Sequence, residues 1–224
     1  IPHVYAAPLV DMERDFAPVS LLGSVPLVLV VPPSVPEKTV TDWVASAKAR
    51  GGRANFASSS AASAPHLAGE RFKHMTGLEL QHIPYKGSAP AITALMSNEV
   101  QLMFDSLPSS MPSIKGGQLK ALAVSAPRRA RDLPDTPTMI EAGYPGFDLG
   151  SWYGLWMPAK TPAEIVARLN AELSAIAALP EIREKFMALG TEPETMTVEQ
   201  FRAFGRSESE RWGSIARSAN VKLD

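Results

Sequence analysis

Short apolar runs alternate with helix-like segments along most of the chain, up to about residue 157. Each run is flanked by Gly, Pro or Ser, as is typical of buried strands that end in turns. Strands that alternate with helices favour an α/β fold built on a mostly parallel sheet. The predicted strands cover residues 25–31, 54–57, 80–83, 100–104, 121–125 and 151–157.

Capping residues mark the starts of the helices. Thr161, Pro162 and Glu164 combine an N-cap hydroxyl, a proline in the first turn and a capping-box carboxylate. Thr197 and Gln200 form a second capping pattern of the same kind. The last three predicted helices follow one another directly, so the chain becomes almost wholly helical after its last predicted strand. The predicted helices cover residues 40–50, 64–76, 89–97, 162–178, 181–189 and 198–218.

The charge balance excludes several classes of partner. The 22 basic and 23 acidic side chains give a formal charge of −1, and no run of five like charges occurs. This balance argues against binding to nucleic acid or to acidic lipid surfaces. The longest apolar run, residues 25–31, is much shorter than the roughly 20 residues that cross a membrane as a helix. We therefore expect no direct membrane insertion.

The sequence lacks the residue patterns of catalytic and metal sites. Cysteine is absent, which removes thiol catalysis and thiolate metal sites but leaves the compartment open. There is no G-x-S-x-G elbow, no phosphate-binding glycine loop and no H-E-x-x-H motif. His66, His74 and His82 are too widely separated in sequence to pair on one helix face. We therefore predict no catalytic residues, no metal site and no cofactor.

The start of the chain carries no secretory signal. It opens at Ile1 without the basic start and the apolar stretch that such a signal requires. We therefore expect the chain to be mature, cytosolic or truncated.

The segment YKGSAPA, residues 85–91, joins a predicted strand to a predicted helix. Ser88 is the predicted N-cap, and the N–H groups that follow the turn would face outward at the positive end of the helix dipole. Such a helix start can receive a carboxylate or a phosphate. The alternative is an ordinary connecting loop, since every α/β unit contains loops of this kind. The predicted donors are Gly87, Ser88, Ala89 and Ala91.

Polar residues follow two other predicted strands. Ser58, Ser59 and Ser60 come after the second strand, and their small hydroxyl side chains could donate to a ligand or to ordered water. Asp105 comes after the fourth strand, and the carboxyl ends of strands are the usual ligand side of an open sheet. A flexible polar loop with an N-cap is the alternative for the serines, and a helix-initiating cap is the alternative for Asp105.

Several segments, in order along nearly the whole chain, form a recognisable set. They are DFAPVS (15–20), Ser58-Ser59 with HLAGE (66–70), YKGSAPA (85–91), Phe104-Asp105, IKGGQLKALAV (114–124), LPDTPT (133–138) and EAG (141–143). With these segments the chain resembles the tripartite tricarboxylate transporter substrate-binding family, the Bug-type periplasmic receptors.

The resemblance implies a two-lobed, type II-like periplasmic binding protein, each lobe a mostly parallel sheet flanked by helices. Residues 26–147 would form the second, middle lobe. Residues 1–25 and 148–224 would form a remnant of the first lobe, which we expect to be incomplete at its N-terminus and to lack one loop of the family's ligand clamp. The family implies capture of a small carboxylate in the periplasm and its delivery to the permease subunits of a tripartite tricarboxylate-type membrane transporter.

The resemblance also assigns ligand-binding residues. Ser58, Ser59 and Ser60 would contact the body of the ligand or its waters, and His66 is assigned to the same site. Asp105 would receive a polar distal group or repel a second carboxylate. Dicarboxylates, amino acids and aromatic acids all fit this arrangement. The donors assigned to the carboxylate itself are Gly87, Ser88, Ala89 and Ala91. Tyr85 and Lys86 of the same loop are also assigned to the ligand-binding site.

Two other functions stay open at this point. The chain could be a ligand-sensing module for a signalling partner. It could also be an α/β enzyme that acts on a small carboxylic acid through Asp105 or His66. The missing catalytic motifs favour the receptor over the enzyme, and no feature of the sequence marks a surface for a signalling partner.

Overall fold

The computed structural model describes residues 3–5 and 10–223. These residues fall into two compact units. Unit 1 comprises residues up to 25 together with those from 152 onward, and unit 2 comprises residues 26–151. Within the described residues, no helix has both the length and the apolar composition that crossing a membrane requires.

The described elements follow the predicted alternation closely. The strands are β1 (Phe16–Val31), β2 (Arg53–Ser58), β3 (Glu79–Pro84), β4 (Leu102–Ser106), β5 (Lys120–Ser125), β6 (Gly150–Pro158) and β7 (Glu192–Pro193). The helices are α1 (Met12–Asp15), α2 (Val40–Ala49), α3 (Ala64–Thr76), α4 (Ser88–Met96), α5 (Leu107–Lys115), α6 (Ala163–Ala178), α7 (Pro180–Ala188) and α8 (Val198–Ser218). Every predicted strand and helix is present, and apart from β1 the ends differ by only a few residues.

Strand β1 is longer than predicted, and α1, α5 and β7 were not predicted. Strand β1 begins at Phe16 rather than at residue 25, because its first part pairs with strands of unit 1 and its second part with strands of unit 2. Helix α5 was not predicted. Its sequence places Pro108 in the first turn, where proline is tolerated, but also Pro112 in the interior, which ordinarily argues against a helix.

The sheet of unit 2 has the strand order β3-β2-β4-β1-β5. Strand β2 runs parallel to β3 and to β4, whereas β1 runs antiparallel to β4 and to β5. Strand β1 is therefore the one strand of this sheet in the opposite direction, and the predicted mostly parallel sheet is confirmed. The chain order reverses between β2 and β4, and such a switch point is where open α/β sheets bind ligands, at the carboxyl ends of their strands.

Aromatic packing fills unit 2 beneath α3. The rings of Phe72, Phe104 and Phe147 pack together, with Phe104 and Phe147 5.2 Å apart between centroids. Trp43 of α2 extends this group, 6.4 Å from Phe72. A second apolar cluster includes Leu95 of α4 with residues of β1, β2, β4 and β5. Both clusters stabilise the sheet by removing apolar surface from water.

Unit 1 pairs the first part of β1 with β6 and β7 and packs α8 against aromatic side chains. Trp152 and Trp156 contact Phe201 of α8, whose ring is buried. The buried carboxylate of Glu208 accepts hydrogen bonds from the indole N–H groups of Trp152, at 3.2 Å, and Trp212, at 3.0 Å. Trp152 and Trp156 of β6 are thus half-buried against α8, whereas Tyr153 of the same strand is exposed.

Candidate ligand-binding site

Three strand-to-helix connections of unit 2 meet at one edge of its sheet. Strands β2, β3 and β4 are parallel, and Ser58 lies opposite Pro84 in the register of β2 with β3. The connections that leave these strands are the β2–α3 loop (residues 59–63), the β3–α4 loop (residues 85–87) and the direct step from β4 into α5. The predicted site residues all belong to these connections, to the strand ends beside them or to the first turns of α3 and α4.

Helix α4 begins differently from the prediction. Its N-cap is Gly87, with φ of 109° and ψ of 171°, and not Ser88. This backbone conformation is essentially restricted to glycine. Ser88 is the first helical residue, and its hydroxyl donates to Asp105 Oδ1 at 2.7 Å instead of capping the helix. The helix start therefore has no side-chain cap.

Not every N–H group at the start of α4 is available to a ligand. The first four N–H groups of a helix lack partners within the helix. Here the Gly87 N–H donates to the carbonyl of Ser59 at 2.8 Å, and Pro90 has no N–H. The groups that remain are those of Ser88 and Ala89, and Ala89 is exposed. Ala91 is fully buried one position further on, so its predicted contact with a ligand stays a prediction.

Asp105 lies behind this helix start and is fully buried. Its Oδ1 accepts from the hydroxyl of Ser88 and its Oδ2 from the hydroxyl of Ser110, each at 2.7 Å. Burial raises the pKa of the Asp105 carboxyl, although both hydroxyls act in the opposite direction. Asp105 thus ties the starts of α4 and α5 to the end of β4. Its predicted contact with a ligand stays a prediction.

The predicted serines at the end of β2 and in the β2–α3 loop divide into buried and accessible positions. Ser58 is fully buried, and its hydroxyl donates to the carbonyl of Ser60 at 2.8 Å. The hydroxyl of Ser63 donates to the same carbonyl at 2.7 Å and caps α3. Ser59 is half-buried and Ser60 is exposed. The hydroxyls placed to meet a ligand or its waters are therefore those of Ser59 and Ser60.

His66 is buried and stacked face to face on His82, with ring centroids 3.6 Å apart. Its Nδ1 accepts a hydrogen bond from the N–H of Ala62 at 2.9 Å. This bond assigns the proton of the neutral ring to Nε2, which lies 3.8 Å from Glu70 Oε1. Contact between His66 and a ligand stays a prediction, since its ring faces its own loop and His82.

Tyr85 and Lys86 have different environments although they are neighbours. Tyr85 is half-buried, packs against the apolar cluster that includes Leu95 of α4, and donates its hydroxyl to Glu99 Oε1 at 3.1 Å. Lys86 is exposed beside the helix start. Its ammonium group adds a positive charge next to the N–H groups of Ser88 and Ala89. A small anion would therefore meet donors and positive charge at this edge.

Sequence reasoning missed His82, Glu70 and Ser110. The histidines were judged by their separation along the chain, whereas the register of β2 with β3 places His82 opposite Phe56, and α3 returns His66 over both. The strand alternation of β3 could have predicted that His82 and Leu80 share a face, since every second residue does so. The helix that carries Ser110 was not predicted.

A separate cavity of about 480 Å³ lies at the other end of these strands. It is open to solvent and mixes charged and apolar side chains. Its residues belong to the beginnings of β2 and β3 and to the end of α3, away from the loops described above. They are Arg53, Ala54, Asn55, Lys73, Leu78, Glu79, Leu80 and Gln81.

We expect a stability loss in acid that depends on His82. Burial, with the neighbouring His66, lowers the pKa of His82 to about 4 from its ordinary 6.5. Between pH 4 and 6.5 the unfolded chain binds a proton at His82 that the folded protein does not bind. The free energy of unfolding should therefore rise with pH across this window, by about 1–2 kcal/mol for a partly exposed group. Urea unfolding between pH 4 and 7 should show a flatter profile for His82→Gln. The exposed His74 provides the control, His74→Gln, and equal slopes for all three proteins would contradict this expectation.

Solved structures that match this fold define the class of the protein. Rpa4515 of R. palustris with adipate aligns with a TM-score of 0.86 and 35% identity over 98% of this chain and 73% of that one. MatC from Rhodopseudomonas palustris with bound malate aligns with a TM-score of 0.75 and 28% identity over 94% of this chain and 73% of that one. The fold is that of the periplasmic solute-binding proteins.

The family follows from the sequence comparison. The family described as tripartite tricarboxylate transporter family receptor matches residues 1–221, and the chain belongs to this family. Protein BugT of Bordetella pertussis is 35% identical over 210 residues, which are 94% of this chain and 64% of BugT. The resemblance stated from the motifs is thereby confirmed. The chain spans less than two thirds of the length of this relative.

Proposed function

We propose that this chain belongs to a periplasmic receptor that captures a small carboxylate and delivers it to the permease subunits of a tripartite tricarboxylate-type membrane transporter. The observation that carries the proposal is the uncapped start of α4, where the N–H groups of Ser88 and Ala89 lack helical partners. Family membership supports the proposal, as do two matched structures that hold the carboxylates adipate and malate.

Within this proposal, the N–H groups of Ser88 and Ala89 hold one carboxylate of the ligand. Hydrogen bonds to a charged partner contribute roughly 1.5–3 kcal/mol each. Two such bonds, together with the helix dipole, can therefore hold one carboxylate without an arginine side chain. The hydroxyls of Ser59 and Ser60 contact the body of the ligand or its waters. Lys86 attracts the anion through its charge.

The two units correspond, in this proposal, to the two lobes expected from the resemblance. Unit 2 is the middle lobe and carries the carboxylate site. Unit 1 belongs to the other lobe. The role is binding and delivery in the periplasm, and it requires no bond of the ligand to be broken.

A thermal-shift measurement with adipate and with malate tests the proposed function. A ligand that binds only the folded protein raises its stability by about 2.7 kcal/mol at a hundredfold excess over Kd. We expect at least one of these acids to raise the melting temperature by several degrees, and the dimethyl ester of the same acid to have no effect.

Two proline substitutions provide the matched variants for this measurement. Ala89→Pro removes one of the two free N–H groups from the first turn of α4, where proline is tolerated, and should abolish most of the shift. Ala163→Pro makes the same change at the first residue of α6 in unit 1 and should keep it. A full shift in Ala89→Pro, or none with either acid in the unmodified protein, would rule out this assignment.

A further inference from the structure

Two stacked imidazole rings lie directly behind the β2–α3 loop. His66 of α3 and His82 of β3 are 3.6 Å apart between centroids and only 10° from parallel. The fully buried ring of Phe56 packs against both, at 6.1 Å from His66 and 4.9 Å from His82. The pair is thus fixed by one helix and two strands.

Each ring holds the loop through a different bond. The Nδ1 atom of His66 accepts from the N–H of Ala62, a residue in the left-handed region with φ of 55°. The Nε2 atom of His82 lies 2.6 Å from Ser58 Oγ, and the same hydroxyl lies 2.8 Å from the carbonyl of Ser60. When Ser58 donates to Ser60, a neutral His82 donates to Ser58 from Nε2. Two neutral rings with the proton on Nε2 satisfy every bond in this arrangement.

The charged groups that face the pair belong to α3. Glu70 lies 3.8 Å from His66 Nε2 and 3.7 Å from the ammonium group of Lys73, and its side chain is largely buried. Strand β2 contributes the uncharged Phe56 and Ser58. For His82, the attraction that Glu70 offers to a positive charge is outweighed by burial and by the repulsion of His66 and Lys73.

The geometry of this cluster does not fit a metal site or a catalytic serine. The described His, Asp and Glu side chains include no group of three that could hold a metal ion. The Ser58–His82 contact has the distance of a nucleophile and its base. However, Ser58 is fully buried, so its hydroxyl is not accessible to a substrate.

We propose that His66 and His82 are positioning residues, whose neutral rings hold the β2–α3 loop so that Ser59 and Ser60 face the ligand. The link to a ligand rests on the proposed function, whereas the hold on the loop does not. Protonation of His82 places a charge against its stacked partner His66 and disturbs the pair that holds the loop. The loop is therefore released on acidification.

Substitutions that keep or remove one bond at a time test this proposal. His66→Asn keeps an acceptor near the position of Nδ1, and His82→Gln keeps a donor near the position of Nε2. His66→Leu and His82→Leu keep neither. His74→Leu, at an exposed position of α3, is the control.

The first readout needs no ligand and follows amide hydrogen exchange of Ala62 in the whole chain. Both leucine variants should speed exchange by about tenfold or more, while the Asn and Gln variants and the control stay within about threefold of the unmodified protein. Between pH 6 and 4, after correction for the intrinsic rate, exchange should accelerate in the unmodified protein but not in a His66→Asn, His82→Gln double variant. If a leucine variant does not fold, this pH comparison still tests the positioning role.

The second readout is the Kd for adipate or malate, whichever gives the larger thermal shift. The leucine variants should bind about tenfold more weakly, and the Asn and Gln variants should restore binding. Unchanged Ala62 exchange in folded leucine variants, together with no extra acceleration in acid, would overturn the positioning role even if the acids bind. Faster exchange without binding of either acid by the unmodified protein would support the positioning role and reject the proposed function.

Discussion

Replacing Gly69 by alanine should lower the free energy of unfolding by about 3 kcal/mol. A β-carbon at this position would lie 2.1 Å from Cε2 and 2.4 Å from Cδ2 of the Phe56 ring. That ring is fully buried, so it cannot move aside without displacing its neighbours. His66 and His82 are among these neighbours, and we expect the clash to disturb the β2–α3 loop as well.

Gly205 of α8 offers a control with the opposite sign. A β-carbon there would meet no atom within 4 Å, and the residue is helical. Gly205→Ala should therefore stabilise the protein by about 0.5–1 kcal/mol through helix propensity alone. Urea unfolding of both variants measures the two effects. A Gly69→Ala variant as stable as the unmodified protein would mean that Phe56 does not pack as described.

Replacing Asp105 by alanine should cost about 3–5 kcal/mol. The change leaves the buried hydroxyl of Ser110 and the hydroxyl of Ser88 without their acceptor and opens a small cavity between α4 and α5. Asp105→Asn retains the volume and one oxygen acceptor, while its amide can donate to the second hydroxyl. We expect it to recover more than half of the loss.

The pH dependence separates the roles of charge and hydrogen bonding at Asp105. Burial raises the pKa of this carboxyl above 3.8, so the folded protein binds more protons than the unfolded chain just above that pH. The stability of the unmodified protein should therefore fall, relative to Asp105→Asn, as pH rises from about 3.8 through the raised value. Urea unfolding across this range provides the test. Equal losses for the Ala and Asn variants would contradict the hydrogen-bonding role.

The elements of the fold were predictable because they depend on local signals. Caps such as Ser63, Thr39 and Thr197 mark helix starts by bonding to N–H groups only a few residues away. The first part of β1 was not predicted, since Pro18, Gly23 and Ser24 interrupt its apolar pattern and its pairing partners lie far along the chain. Helix α5 was missed because Pro112 is tolerated there only in the folded context.

The site was predictable in its location but not in its bonds. Strand ends and polar loops identified the correct edge of the sheet, because the direction of parallel strands fixes where their loops meet. The partners of individual groups come from longer range. Ser88 donates to Asp105 rather than capping its helix, and Gly87 donates to Ser59 across two loops. No local pattern encodes these pairings.

The central claim is that two backbone N–H groups at the start of α4 hold the carboxylate. Titration of the ¹⁵N-labelled chain with adipate and with malate, followed by amide NMR, tests it most directly. We predict the largest downfield proton shifts at Ser88 and Ala89, with smaller changes at Ser59 and Ser60. Saturable shifts at other residues, with the Ser88 and Ala89 resonances unchanged, would contradict this claim. The absence of any saturable shift would contradict it as well.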